Sequence, residues 1–355
     1  MTICCPTKFN ELKNKFGGVD PKENWHVFLA GPIFGAEKWQ HNMPNIDNVT
    51  WFSPRRESYK NFNYDEQVDW EEVNMRFADV ILFWVPKPTK MEELEKRNYN
   101  YAQTTRTEFG EYIARGKKII FGCYDEFGGK NYFQKKLEQY HMGNVHSSLE
   151  DCIASLVEYI DECEKSPKVY FTSDTHFGSE RTLQLSKRPF LDVKDMDFSL
   201  IENWNNTVHP CDKIYHLGDF GETEYSRYLN GTLHFLQGNY EREGKSQEPS
   251  VAYIGYGKFS NGGYHSLKGV NEKLSNGKSY ILTHEPSIGL QYKNELNLKD
   301  SFILFGHIHG TQKCKKFGYN VGVDANNYKP ISIDEIEYYR NAIENGGYDE
   351  EVWVN

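Results

Sequence analysis

The 355-residue chain has no C-x-x-C pair, and its seven cysteines, at 4, 5, 123, 152, 163, 211 and 314, are an odd number. That spacing argues against a disulfide framework and against a zinc ribbon. No apolar run approaches the roughly 20 residues that a membrane-spanning helix needs. The opening stretch, MTICCPTKFNELKNKF, lacks the basic flank, apolar segment and small-residue cleavage site of a secretory signal. The expected compartment is therefore the cytoplasm, with no membrane among the partners. An excess of positive charge is missing too. Net charge is −10, and the residues up to 165 and those after it each come to about −5. Neither half is a basic module that holds nucleic acid by releasing counterions. Internal repeats and low-complexity segments are also absent.

What is present suits two domains of ordinary size. In the first half WHVFLAG (25–31), VTWFSP (49–54), DVILFWV (79–85) and KKIIFGC (117–123) read as strands. Helical patterns fall at 64–77, about 104–116 and 147–164, so strands alternate with helices as in a parallel α/β sheet. The charged, proline-containing ECEKSPK (162–168) marks a boundary, giving domains 1–165 and 166–355. The second half holds eight of the twelve histidines. Its apolar strands VYFTSD (169–174), KIYHLGD (213–219), TLHFLQGN (232–239), SYILTHE (279–285) and SFILFGH (301–307) end in or beside Asp, Asn or His.

Those ends supply Asp174, His176, Asp219, Asn239, His284, His307 and His309. Nitrogen and carboxylate donors in this mixture suit Mn, Fe, Zn or Ni better than Mg or Ca. Seven donors exceed the needs of one tetrahedral ion and suit two divalent transition-metal ions that share a carboxylate and act on a phosphate ester. The blocks D-x-H (Asp174–His176), GD (Gly218–Asp219), GN (Gly238–Asn239), His284 and GHxH (Gly306–His309), closed by GVDANNYKPISIDEI (322–336), resemble the calcineurin-like metallophosphoesterase family. The resemblance implies an α+β sandwich of two sheets flanked by helices. It also implies that Asp219 bridges the ions, with Asp174, His176 and His309 on one and Asn239, His284 and His307 on the other. Where that family has a histidine after GN, this chain has Tyr240. A phenol, with an ordinary pKa near 10, is a poorer proton donor to a leaving oxygen. A good leaving group or a phosphodiester tolerates that change best.

In the first half Glu108 falls in the first turn of the helix in TTRTEFGEYIARGKK (104–118), Asp79 opens its apolar strand, and Gly31 and Pro32 follow the first strand. VFLAGPI (27–33), ADVILFWVP (78–86) and TRTEFGEYIARGKKIIFG (105–122) are similar to the nucleoside 2-deoxyribosyltransferase-like superfamily. The resemblance implies a flavodoxin/Rossmann-like domain with no cofactor. In it Glu108 is the nucleophile at an anomeric carbon, Asp79 assists proton transfer or positions the sugar, and a covalent glycosyl ester is resolved by water or by a second base. Arg55, Arg56 and Arg106 are candidates to hold a 5′-phosphate, and Trp39, Trp70 and Tyr59 to stack on a base. The combined expectation is a bifunctional enzyme acting on small nucleosides or nucleotides, with homo-oligomers through the first domain left open. Two alternatives stand: a phosphodiesterase with a non-catalytic nucleotide-recognition domain, and a nucleotide sensor.

Overall fold

A computed structural model describes residues 24–346 except 57, 59, 61, 99, 246–251, 254–255, 259–263, 267–268 and 275, together with residues 3–4 and 22. Tyr59 therefore lies outside the described residues. The chain divides into two compact units, Met1–Lys165 and Ser166–Asn355. No helix among the described residues is long and apolar enough to cross a membrane.

Unit 1 runs β1 (Ile3–Cys4), β2 (Trp25–Ala30), β3 (Val49–Phe52), α1 (Tyr64–Phe77), β4 (Val80–Val85), α2 (Met91–Lys96), α3 (Gln103–Ala114), β5 (Lys118–Cys123), α4 (Lys130–Gln139) and α5 (Leu149–Lys165). Its sheet is parallel throughout, in the order β1-β3-β2-β4-β5. All six residues of β4 are buried, as an unbroken apolar run between two helical layers requires. The chain passes from β2 outward to β3 and then crosses to β4 on the other side. The crevice at the carboxyl ends of β2 and β4 is thus the switch point where such sheets bind ligands. Asn63 caps α1 by accepting from the backbone N–H groups of Asp65 and Glu66. Helix α4 is not foreseen in the sequence, because only Phe133 and Leu137 of its ten residues are buried.

Unit 2 continues with β6 (Val169–Thr172), α6 (Glu180–Leu185), α7 (Val193–Asn205), β7 (Lys213–His216), β8 (Thr232–Phe235), α8 (Asn239–Arg242), β9 (Ala252–Tyr253), β10 (Tyr256–Lys258), β11 (Tyr264–Ser266), β12 (Gly269–Lys273), β13 (Ser279–Thr283), α9 (Pro286–Glu295), β14 (Phe302–Phe305), β15 (Cys314–Lys315), β16 (Gly318–Asn320), β17 (Ile331–Ser332) and α10 (Ile333–Glu344). One five-stranded sheet has the order β17-β6-β7-β8-β9 and another β12-β13-β14-β16-β15. A single apolar cluster takes Phe171, Tyr215 and Leu217 from the first sheet's side and Tyr280, Leu282, Phe302 and Leu304 from the second. The two sheets therefore face one another across a shared core. Several strands stop two or more residues before the ends expected from sequence, because the chain turns through left-handed backbone at Asp174, Asp219 and His307.

Candidate functional site

In unit 2 the loops that leave β6, β7, β8, β13 and β14 draw all seven strand-end residues into one cluster. Asp219 Oδ2 lies 3.6 Å from His176 Nε2 and 3.4 Å from His284 Nε2. Asn239 Oδ1 is 3.0 Å from His284 Nε2 and 3.1 Å from His307 Nδ1. The rings of His176 and His309 stack with centroids 5.3 Å apart. Asp174 accepts the His307 backbone N–H at 2.9 Å. Five of the seven, Asp174, His176, Asp219, His307 and His309, have positive φ. That conformation costs non-glycine residues about 1–3 kcal/mol each and gathers at functional sites. The motif glycines are demanded by close approach. A Cβ on Gly238 would stand 2.1 Å from Asp219 Oδ1, and one on Gly306 2.3 Å from Asp174 Oδ2.

Ligating atoms of Asp174, His176 and His309 lie within 4.8 Å of one another, as do those of Asp174, Asp219 and His284. Two carboxylates, Asp174 and Asp219, thus stand between the imidazoles, where the resemblance implied Asp219 alone as the shared one. Buried His176 Nε2 has no hydrogen-bond partner among the described residues. A ring nitrogen left bare in so polar a cluster fits a metal ligand. Burial holds the His176 ring down at about 4. Burial would raise the Asp219 carboxyl, but His284 and His176 bring it to about 2. Burial works against charge on His284 as well, yet Asp219 and Asp174 carry it up to about 9. Its Nδ1 meets the Leu217 carbonyl at 2.8 Å, which leaves Nε2 facing the cluster.

Tyr240 packs edge-on against His176 at 4.9 Å, and Arg181 hydrogen-bonds to its hydroxyl. Both His176 and Tyr240 line a cavity of about 670 Å³ that Phe177, Glu222 and Lys245 help to form. Arg242 pairs with Glu285 and donates to the Gln237 carbonyl. Glu241 was not singled out in the sequence. Its carboxylate accepts backbone N–H groups from Gly238 at 2.8 Å and from Asp219 and Phe220 at 3.0 Å, tying the GD and GN turns together.

In unit 1 Glu108 lies half-buried at the middle of α3, not in its first turn. Burial first, then the neighbouring charges of Glu71 and Glu111, push its carboxyl up to about 8. Glu71, on α1, is the residue that sequence reasoning missed here. It is raised by burial and takes a 2.5 Å hydrogen bond from Gln67, whose Oε1 accepts from Arg56. Gly31 closes β2 so tightly that a Cβ would lie 2.2 Å from the Trp84 carbonyl oxygen, and Pro32 beside it is buried.

Three of the candidates have partners within the protein. Asp79 sits before β4, at the amino edge of the parallel sheet, and its carboxylate binds Lys22 Nζ and the His26 backbone N–H, each at 2.7 Å. It pins that edge. Arg55 is buried and spends its guanidinium on Gln40 and on the carbonyls of Ile33 and Glu37. Arg106 stacks over Phe127 at 4.4 Å and donates to the Gly128 carbonyl. Arg56 differs, because its buried Nη2 has no partner among the described residues, nor do Trp39 Nε1 and Gln40 Nε2. Trp70 packs on Phe28 in the core.

Unit 1 thus has a parallel sheet with a glycine at its switch point and a half-buried glutamate on α3. The family model described as "Nucleoside 2-deoxyribosyltransferase like" matches residues 24–127, so the chain carries a domain of that kind. The chain is also 32% identical over 184 residues to the uncharacterized protein MJ1445 of Methanocaldococcus jannaschii, a match covering 48% of this chain and 89% of that protein. Over that stretch the chain belongs to the same family as the archaeal protein. A solved structure, the protein of unknown function AQ665 from Aquifex aeolicus, is 25% identical and covers 49% of this chain and all of that one, with a TM-score of 0.37.

Proposed function

We propose that the protein is a two-domain enzyme of nucleotide metabolism whose second unit is a calcineurin-like, metal-dependent phosphoesterase. The observation that carries this reading is the convergence of Asp174, His176, Asp219, Asn239, His284, His307 and His309 from five separate loops, with the bare Nε2 of His176 among them. Two divalent transition-metal ions held there would supply Lewis-acid activation of a phosphoryl oxygen and of an attacking water. The chain's own residues set the rest. Glu241 fixes the two turns that present Asp219 and Asn239. Tyr240, already engaged by Arg181, suits a substrate whose leaving group departs without a strong proton donor. A phosphodiester or an activated ester is therefore the favoured class.

Unit 1, in this reading, cleaves or exchanges the N-glycosidic bond of a nucleoside or its 5′-monophosphate. The Glu108 carboxylate bonds to the anomeric carbon as the C–N bond breaks and the base leaves with that electron pair, taking up a proton. Water or another base then cleaves the glycosyl ester and frees Glu108. The unpartnered donors Arg56 Nη2, Gln40 Nε2 and Trp39 Nε1 support a ligand rich in acceptor oxygens. The test incubates the full chain, with Mn²⁺, with nucleosides, 5′-monophosphates and bis(p-nitrophenyl) phosphate. Free or exchanged base and nitrophenol are expected. A chain that releases neither is a binding protein.

A further inference from the structure

Arg188 and Asp324 lie 136 residues apart in sequence and form a buried ion pair, with side chains 0% and 4% exposed. The guanidinium is bidentate: Nε and Nη2 each reach a different oxygen of Asp324 at 2.8 Å. The same guanidinium donates from Nη2 to the Asp174 carbonyl at 2.6 Å and from Nη1 to the Thr175 carbonyl at 2.8 Å. It thereby grips the D-x-H turn, whose Asp174 and His176 have φ of 59° and 50°. Asp324 Oδ2 also meets His309 Nδ1 at 2.8 Å. With Nδ1 donating to that carboxylate, Nε2 is the ring atom left free to bind an ion.

A pair serving only stability would not need this arrangement, because buried ion pairs are weak stabilisers that apolar residues often replace without loss. Here the side-chain bonds of the pair end on the backbone of the D-x-H turn, at Asp174 and Thr175, and on His309, save a 3.5 Å contact to Met196 Sδ. We propose that the Arg188–Asp324 pair is a positioning device for that half of the metal centre, holding the D-x-H turn and orienting His309. This rests on the metal-centre reading of unit 2.

The test is Mn²⁺ titration calorimetry, with electron paramagnetic resonance, on the full chain and its Asp324→Ala, Asp324→Asn and Arg188→Met variants. Asp324→Ala is expected to weaken one of two ions by about 10–100-fold, the usual effect of losing a carboxylate behind a ligating histidine. The other ion, which shares a carboxylate with the first, is expected to weaken clearly less. Asp324→Asn keeps an oxygen for His309 and loses less; it carries the test if the alanine variant does not fold. In a His309→Ala background Asp324→Asn adds no more than about a twofold effect. Wild-type binding of both ions in the Asp324 and Arg188 variants overturns the proposal and leaves the metal centre standing. Equal weakening of both ions also overturns it. A wild-type chain that binds no Mn²⁺ overturns the metal centre and the proposal together.

Discussion

Glu108 and Asp219 show how opposite surroundings move two carboxyl groups in opposite directions. Glu108 is pushed up to about 8, by burial and then by Glu71 and Glu111, so at neutral pH most molecules hold it protonated. Attack on an anomeric carbon needs the carboxylate. Base release at low substrate should therefore climb about tenfold per pH unit up to pH 7 and flatten above about pH 8. Replacing Glu71 with Gln removes a like charge, so that limb should move to lower pH; a profile that stays put contradicts the assignment. The same shift makes the fold lose stability as pH rises from the ordinary glutamate range towards 8, because burial penalises the ionised form. Asp219 lies on the other side, held at about 2 and ionised throughout. Asp219→Asn should cut phosphate-ester hydrolysis by at least about 10²-fold, read as nitrophenol release at saturating Mn²⁺. Asp219 and Glu108 stand out as candidates in the sequence, since their neighbours form short ordered blocks. Asp324 does not, because its partner Arg188 is 136 residues away and no local pattern ties a carboxylate to a remote guanidinium. Glu71 was hidden for the same reason: its tie to Glu108 runs between two helices.

At the scale of elements, apolar runs disclose strands and say little about where they stop. VYFTSD reads as one strand, yet β6 ends at Thr172 because Asp174 turns with a φ of 59°. The turns that break the strands are the ones that carry the cluster, so strand ends were obscured at the candidate site. Helix α4 escaped for a different reason, having only two buried residues to mark its face. The tightness of the turns yields a further expectation. Gly306→Ala places a methyl group 2.1 Å from Ser173 Oγ and 2.3 Å from Asp174 Oδ2. It should cost about 1–3 kcal/mol of stability by overpacking and displace Asp174. Chemical denaturation and Mn²⁺ affinity would register both effects, and an unchanged affinity would argue against Asp174 as a ligand.

For the whole molecule, the two units carry unlike side-chain clusters on unlike sheets, one parallel with Glu108 on α3, the other a pair of facing sheets with Asp and His at their loops. The parallel sheet was legible because its strands are buried on both faces and read as unbroken apolar runs. The internal partners of Asp79, Arg55 and Arg106 were not, since a charged side chain facing a ligand and one bonded within the protein look alike in a string of letters. We propose that each unit performs its own reaction. The most direct measurement is one chromatographic run with mass detection on the Mn²⁺-loaded full chain, with pooled nucleosides, 5′-monophosphates and bis(p-nitrophenyl) phosphate, repeated for Glu108→Gln and Asp219→Asn. Loss of base release in Glu108→Gln alone, and loss of nitrophenol in Asp219→Asn alone, is the predicted result. Base and nitrophenol that survive both substitutions would contradict it.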